Sequence, residues 1–320
     1  MKVQGTAVDK NLTKKANGFS KFLKSLKTQK QLWLLSIPII IWVVIFAYYP
    51  MYGILMAFVD YIPGKEIFQC DFVGLKYFKQ FITNPSIWTL LRNTFAMSGL
   101  SLTFGFFTPI IFALMLNEIG RAKARKFIQT VSYLPHFISW IVAGSMVYLM
   151  LSSDGILNNL LISFGVSDTS VPFLTKGEYY WTIYTIVNIW KSMGWSSIIY
   201  LSAMSGVDEE LYQAGAIDGL GRLGMVRHIT LPSIAPTIVL LWILGIGNIL
   251  SAGFDYHLII GNDATRPYWD VIDTYSYRYG VQQGFYSMGT AVSLMKSVIG
   301  FLFVCITNYI SKKLTDTSIF

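Results

Sequence analysis

Charge is scarce in this chain. Asp, Glu, Lys and Arg supply 13% of its 320 residues, against about 25% in soluble chains. Hydrophobic residues supply 53%. So little charge cannot cover a globular surface, and the same figures exclude a disordered chain and a coiled coil. Cysteine is nearly missing. Cys70 lies in a polar loop and Cys305 in an apolar run, without metal-ligand spacing, so a disulfide scaffold and a metal site are both excluded. Histidine is equally thin: His136, His228 and His257 are scattered, and no H-E-x-x-H occurs. The acidic residues cluster in loops, so no carboxylate pair is placed for acid–base catalysis. An enzyme is therefore not expected, and an integral membrane protein is.

What the chain has in abundance is apolar length. A spanning helix needs about 20 mostly apolar residues, and six stretches qualify: 32–58, 93–117, 131–151, 180–204, 232–260 and 288–310. The predicted fold is all-α, a polytopic bundle of six transmembrane helices. Pro38, Pro50, Pro109 and Pro135 fall within these stretches, where each bends or breaks a helix. Frequent glycines allow close packing. Residues 1–31 read as a basic tail, 32–314 as the membrane domain and 315–320 as a second tail.

Lys and Arg set the orientation. Sixteen fall on the N-terminal tail, on the loop holding Arg121, Lys123, Arg125 and Lys126, on the loop holding Arg222 and Arg227, and at Lys312 and Lys313. Seven fall on the opposite side, and Lys191 and Lys296 fall within spans. The bias predicts a multi-pass plasma-membrane protein with both termini in the cytoplasm. The net charge of +8 is concentrated in the N-terminal tail, which favours lipid over nucleic acid as the partner. Segment 10–30 is either a short helix lying on anionic lipid or a tail that only sets topology. No signal peptide is expected, because the first apolar stretch is too long and no A-x-A site follows it.

The loop at 207–232 is the most informative stretch. Asp208 can cap a helix whose first turn holds Glu209 and Glu210. Leu211, Ala214 and Gly215 then share a face. Asp218-Gly219 signals a turn, a second short helix is expected over 220–229, and Pro232 opens the fifth span. The loop holds four acidic and two basic residues. Its exposed Leu, Tyr, Ile and Met suit a protein contact better than lipid.

The order Gln213-Ala-Gly-x-x-Asp218-Gly219, followed by Ile229-Thr-Leu-Pro232, resembles the EAA motif of ABC-importer permeases. Gly74-Leu-Lys-Tyr-Phe78, Leu91-Arg-Asn-Thr94, Tyr133-Leu-Pro135, Ile189-Trp-Lys191 and Asp273-Thr-Tyr275 extend the resemblance over most of the chain. It is nearest to MalF-like permeases for oligosaccharides or polysaccharide fragments. The resemblance implies a type I ABC-importer permease architecture. It implies four partners: a second homologous permease, an ABC ATPase dimer, an extracellular solute-binding lipoprotein and the oligosaccharide. ATP and Mg would be bound by the ATPase and no cofactor by this chain, which lacks a G-x-x-x-x-G-K-[ST] loop. ATPase coupling would fall to Glu209, Leu211, Gln213, Ala214, Gly215, Asp218, Gly219 and Arg222. Among these, Leu211, Gln213, Ala214 and Gly215 would make the docking face. The chain departs from the motif at Gln213, where the family has glutamate, and at Gly215, where it has alanine. The first departure keeps hydrogen bonding but loses charge, which bears on one salt bridge to the ATPase.

Sugars are held by aromatic faces with hydrogen-bonding edges. The residues expected along the substrate path are Asn188, Trp190, Lys191, Trp195, Asn248, Asp255, Tyr256 and Lys296. Ionisable groups at membrane depth usually face a cavity or a partner, so Lys191 and Lys296 are the leading pore-facing residues. The plainer alternative is that they snorkel or cap a carbonyl. If both line the cavity, an acidic sugar such as a uronate is the expected cargo. The aromatic segment 255–286 would dock the binding protein, gate the mouth or form an interfacial belt. The competing function is an ion-coupled secondary transporter, which would show buried acidic residues and inverted repeats.

Overall fold

The computed structural model describes residues 28–315. The C-terminal tail beyond 315 and nearly all of the basic segment 10–30 lie outside the described residues. The chain divides at Ile54 into two compact units.

Among the described residues the regular elements are all helical, joined by a single antiparallel bridge between Val59 and Phe72. The α-helices are α1 (Lys30–Val43), α2 (Lys76–Ile82), α3 (Ile87–Leu100), α4 (Phe106–Asn117), α5 (Ala122–Phe137), α6 (Trp140–Leu151), α7 (Ile156–Ser163), α8 (Tyr180–Ser205), α9 (Glu209–Ile217), α10 (Arg222–Met225), α11 (Leu231–Gly247), α12 (Phe254–Ile260), α13 (Arg266–Trp269), α14 (Ile272–Tyr277) and α15 (Tyr286–Thr315).

Among the described residues, five helical runs are long and apolar enough to cross a membrane: Lys30–Phe58, Ile87–Asn117, Trp140–Ser163, Arg222–Gly247 and Tyr286–Lys313. The expected number was six. Helix α8 is the difference. Its 26 residues give about 39 Å of length, enough to span. However, Tyr, Trp, Ser, Asn and Lys191 dilute its apolar content.

The second span starts at Ile87, six residues before the expected 93, and two others depart further from expectation. The expected third span, 131–151, is broken. Helix α5 ends at Phe137, Ile138 and Ser139 are extended, and Ser139 accepts the Val142 N–H to start α6. Pro135 removes a backbone donor in the last turn of α5, and Ser139 is a ready N-cap. The expected fifth span, 232–260, stops at Gly247, and the left-handed Gly253 (φ +77°) turns the chain into α12. At the other end this span starts earlier than Pro232, because α10 runs on into α11.

Three prolines inside these runs share one device, whereas Pro38 and Pro236 sit within regular α-helix. A π-helical turn precedes Pro50 at Val44–Tyr48, Pro109 at Ser101–Gly105 and Pro232 at Val226–Thr230. The wider turn makes room for a ring that cannot donate a hydrogen bond.

The break after α5 is held by Lys191 from α8. Its Nζ donates to the carbonyls of Pro135 (3.3 Å), His136 (2.9 Å) and Ile138 (2.5 Å), and stands 5.2 Å from the Trp140 ring. Lys191 is therefore a cap for a helix end: orphan carbonyls in an apolar environment need a donor. One turn on, Gly194 lets α8 touch α5. A Cβ there would stand 2.0 Å from the Ser132 carbonyl oxygen.

A second set of contacts ties α3 to the segment after α12. Asn93, fully buried, donates to the carbonyls of Pro267 (3.1 Å) and Asp270 (2.9 Å). Arg92 donates to Pro267 O at 2.5 Å and lies 5.5 Å from the Trp181 and Tyr268 rings. Thr94 accepts the Ile272 N–H at 3.2 Å. Asn84 donates to the Tyr275 hydroxyl, and Tyr275 packs on Phe81. Trp269 and Tyr275 are thereby buried, and Tyr256 is buried among Trp140, Tyr180 and Tyr184. This excludes those three from the docking or gating role expected of the aromatic segment.

Two predictions follow from this packing. Replacing Lys191 by Met should lower the stability of the purified protein by about 1–3 kcal/mol for each carbonyl left unpaired. An unchanged thermal midpoint would show that those carbonyls have other donors. In the loop after residue 58, Tyr77 and Lys76 donate to Asp60 at 2.5 and 3.3 Å. These bonds hold the Asp60 carboxyl below its ordinary 3.8. Burial first, then the Asp60 contact, pushes the Tyr77 phenol up to about 12 from 10.0. The carboxylate's contribution is present above pH 3.8 and is lost as the pH falls through its folded value. The phenol's contribution is present below pH 10 and is lost as the pH rises through about 12. Tyr77→Phe should flatten the alkaline limb of an unfolding-versus-pH curve and shallow the acid one.

Candidate functional site

The loop after α8 folds as a short capped helix. The Asp208 carboxylate accepts the Glu210 N–H at 3.0 Å, and Glu209 and Glu210 occupy the first turn of α9, where negative charge meets the positive helix end. Helix α9 closes on Gly219 (φ +78°), with the Asp218 N–H on Ala214 O and the Leu220 N–H on Gly215 O, both at 2.9 Å. Only a glycine adopts that backbone at no cost, which accounts for Asp218-Gly219.

Gly215 is buried. A Cβ at this position would stand 2.7 Å from Ile229 Cδ1 and 3.2 Å from Leu220 Cδ1. The expected docking face loses this residue: Gly215 faces inward and seats α9 against the next helix. A methyl group here would require the ends of the Ile229 and Leu220 side chains to shift. The Tyr212 hydroxyl and the buried Thr230 hydroxyl, 2.9 Å apart, hold the same seam.

Glu209, Leu211, Gln213, Ala214, Asp218 and Arg222 are exposed. Among the described residues no ion pair within the chain engages Glu209, Asp218 or Arg222. Ile217 and Leu223, 86% and 85% exposed, extend the same outward surface. Neither was singled out from the sequence, although apolar residues flanking Asp218-Gly219 were the available signal. Apolar side chains this exposed in a loop mark a protein contact.

The second feature is a groove of about 610 Å³ between α12, α14 and α15. Phe254, Tyr277 and Tyr286 give it aromatic surface, while Ser276, Thr290 and Ser293 give it hydroxyls. Thr290, Ser293 and Lys296 recur every third residue along α15. The Lys296 ammonium pairs with the Asp273 carboxylate, both mostly buried. Beside them the Ser276 and Ser293 hydroxyls are 2.9 Å apart. A Cβ on Gly289 would stand 2.6 Å from the Gly280 Cα, so two glycines bring α15 against the turn after α14.

Of the eight residues expected on the substrate path, Lys296 lies in this groove and Asp255 adjoins it through Phe254. Asn248 and Asp255 are exposed. Tyr256 is buried among Trp140, Tyr180 and Tyr184. Asn188 donates to Ser101 Oγ at 3.4 Å, and Trp190 is 40% exposed. Trp195 stacks on His136, with centroids 4.5 Å apart and planes 3° apart. These α8 residues, with Lys191 as a carbonyl cap, do not line the groove. The groove residues passed over were Asp273, Ser276, Thr290 and Ser293. The three-residue spacing along α15 was legible; the pairing of α14 with α15 was not.

Residues 105–316 match the family described as binding-protein-dependent transport system inner membrane component. Protein LplB of Bacillus subtilis (strain 168) is 40% identical over 300 residues, covering 93% of this chain and 94% of its own. The polygalacturonan/rhamnogalacturonan transport system permease protein YteP of the same organism is 40% identical over 318 residues, covering 99% and 98%. A chain of the crystal structure of a bacterial alginate ABC transporter, in complex with an alginate pentasaccharide-bound periplasmic protein, superposes with a TM-score of 0.83. It is 38% identical, over 92% of this chain and 99% of that one. These likenesses exclude the secondary transporter. The chain belongs to the binding-protein-dependent transport system inner membrane components, the permeases of ABC importers.

Proposed function

We propose that this permease imports oligosaccharides released from an acidic polysaccharide. It works with a second homologous permease, an ABC ATPase dimer and an extracellular solute-binding lipoprotein, with both termini cytoplasmic. The observation that carries the coupling part is the seat of α9. This helix is short, capped at both ends, and locked through Gly215 and Tyr212 onto a helical run that continues from Arg222 to Gly247. A displacement imposed on α9 by an ATPase would pass into a membrane span without a flexible joint. The coupling surface is then Glu209, Leu211, Gln213, Ala214, Asp218 and Arg222, with Gly215 and Gly219 setting its shape. Only a few kcal/mol of bias between two states is required.

The substrate class is supported by a relative named for polygalacturonan/rhamnogalacturonan transport and by a solved transporter described as importing the acidic polysaccharide alginate. The groove on α15 is the stretch of this chain best suited to a sugar, with rings, hydroxyls and one cation. An arriving carboxylate would compete with Asp273 for Lys296.

Gly215→Val should insert normally but lose ATPase activity stimulated by the loaded binding protein by at least about tenfold, some 1.4 kcal/mol of coupling. Wild-type stimulation in this variant would show that α9 needs no seat. Lys296→Met in the reconstituted transporter should depress uptake of uronate oligosaccharides by about tenfold and that of neutral ones much less. Equal depression of both would make the ion pair structural and the groove unselective.

A further inference from the structure

A second pocket, of about 310 Å³, lies where three helices end together. Asn117 is the last residue of α4, Ser205 is the last of α8, and Arg125 is in the first turn of α5. The three ends share the membrane face of the coupling loop, because α8 leads into α9 within four residues. The pocket belongs neither to the coupling surface nor to the groove.

Its chemistry is one-sided. Arg125, Gln129 and Tyr133 recur every fourth residue along one face of α5, and Asn117 stands opposite. Among the described residues, no hydrogen bond or ion pair engages the side chain of any of these four. A guanidinium, two amides and a phenol therefore converge without an internal acceptor, and no carboxylate lines the space. The remaining wall includes Ile198 and Leu201, which are apolar.

Two backbone fields act here. The carbonyl ends of α4 and α8 disfavour an anion, whereas the amide end of α5 favours one. A half-exposed guanidinium carries a full charge, against about half a charge at a helix end. The balance therefore favours an anion, and a planar fork of donors suits a phosphate oxygen pair.

We propose that this pocket binds a phosphate-bearing anion through Arg125, with Gln129, Tyr133 and Asn117 as further donors. A headgroup of an anionic phospholipid is the source that also uses the apolar wall. Helix ends are at headgroup depth, and basic pockets between spans on this face hold such headgroups. A lipid seated here would bridge α4, α5 and α8, the helices next to the coupling loop.

The test uses the whole transporter assembly, stripped of lipid in detergent and examined by native mass spectrometry, with adducts assigned to this chain on dissociation. Dioctanoyl phosphatidylglycerol, dioctanoyl phosphatidylcholine and inorganic phosphate are the probes. The expected result is retention of phosphatidylglycerol over phosphatidylcholine. Arg125→Gln should weaken it at least tenfold, Tyr133→Phe less, and Lys126→Gln, an exposed neighbour on the same helix, not at all. Displacement of phosphatidylglycerol by millimolar phosphate, with the same dependence on Arg125, would keep the site and assign its ligand to the soluble phase. Equal retention of the two lipids, or equal binding by the Arg125→Gln and Lys126→Gln assemblies, would overturn the proposal. The Tyr133→Phe assembly, unchanged in charge, keeps the test readable if the arginine variant assembles poorly.

Discussion

The architecture turns on one ammonium group. Lys191 is buried in α8 and donates hydrogen bonds to the carbonyl oxygens of Pro135, His136 and Ile138, where the helical chain breaks between α5 and α6. Without water, a broken helix inside a bundle leaves carbonyls with no partner. A single cation removes that penalty and fixes the position of α5 at the same time. Gly194 completes the joint by letting the α8 backbone come down on Ser132. The coupling loop begins where α8 ends, so its placement depends on this contact.

From there the mechanics are continuous. Helix α9 is held at its start by Asp208, at its end by a left-handed glycine, and along one side by a residue with no side chain. The helix it sits on does not stop at Pro232 but proceeds into the membrane through a π-helical turn. The same device lets Pro109 stand inside the run Ile87–Asn117. These prolines shape the spans without severing them, whereas the breaks fall where Pro135 with Ser139, or Gly253, offers a better local conformation.

Charge within the membrane region is spent on structure first. One of the two lysines at membrane depth caps carbonyls, and the other is neutralised by Asp273. The second lies in the groove on α15 as one half of an ion pair, whereas the first is held by three carbonyls. The segment after α12 follows the same logic. Arg92, Asn93 and Thr94 use their polar atoms on its backbone, which buries Trp269 and Tyr275 and leaves the hydroxyl-bearing face of α15 open.

Much of this was legible in the chain itself. Low charge and long apolar runs required membrane helices, Asp208 and Asp218-Gly219 bounded α9, and the motif order pointed to an importer permease before any coordinates. Those features are local: capping, left-handed backbone and hydrophobic length act within a few residues. The docking face was read one residue too wide, because the burial of Gly215 depends on Ile229 and Leu220 arriving from the next helix. Lys191 and Lys296 look alike in sequence and differ only in their neighbours, so the carbonyl cap and the ion pair could not be told apart there. The sequence by itself determined helical content and the two ends of α9, but not the break at Ser139 or the stop at Gly247. What only the tertiary structure decided was which side chains face one another, since the carbonyls or carboxylate that meet a lysine come from helices 20 or more residues away.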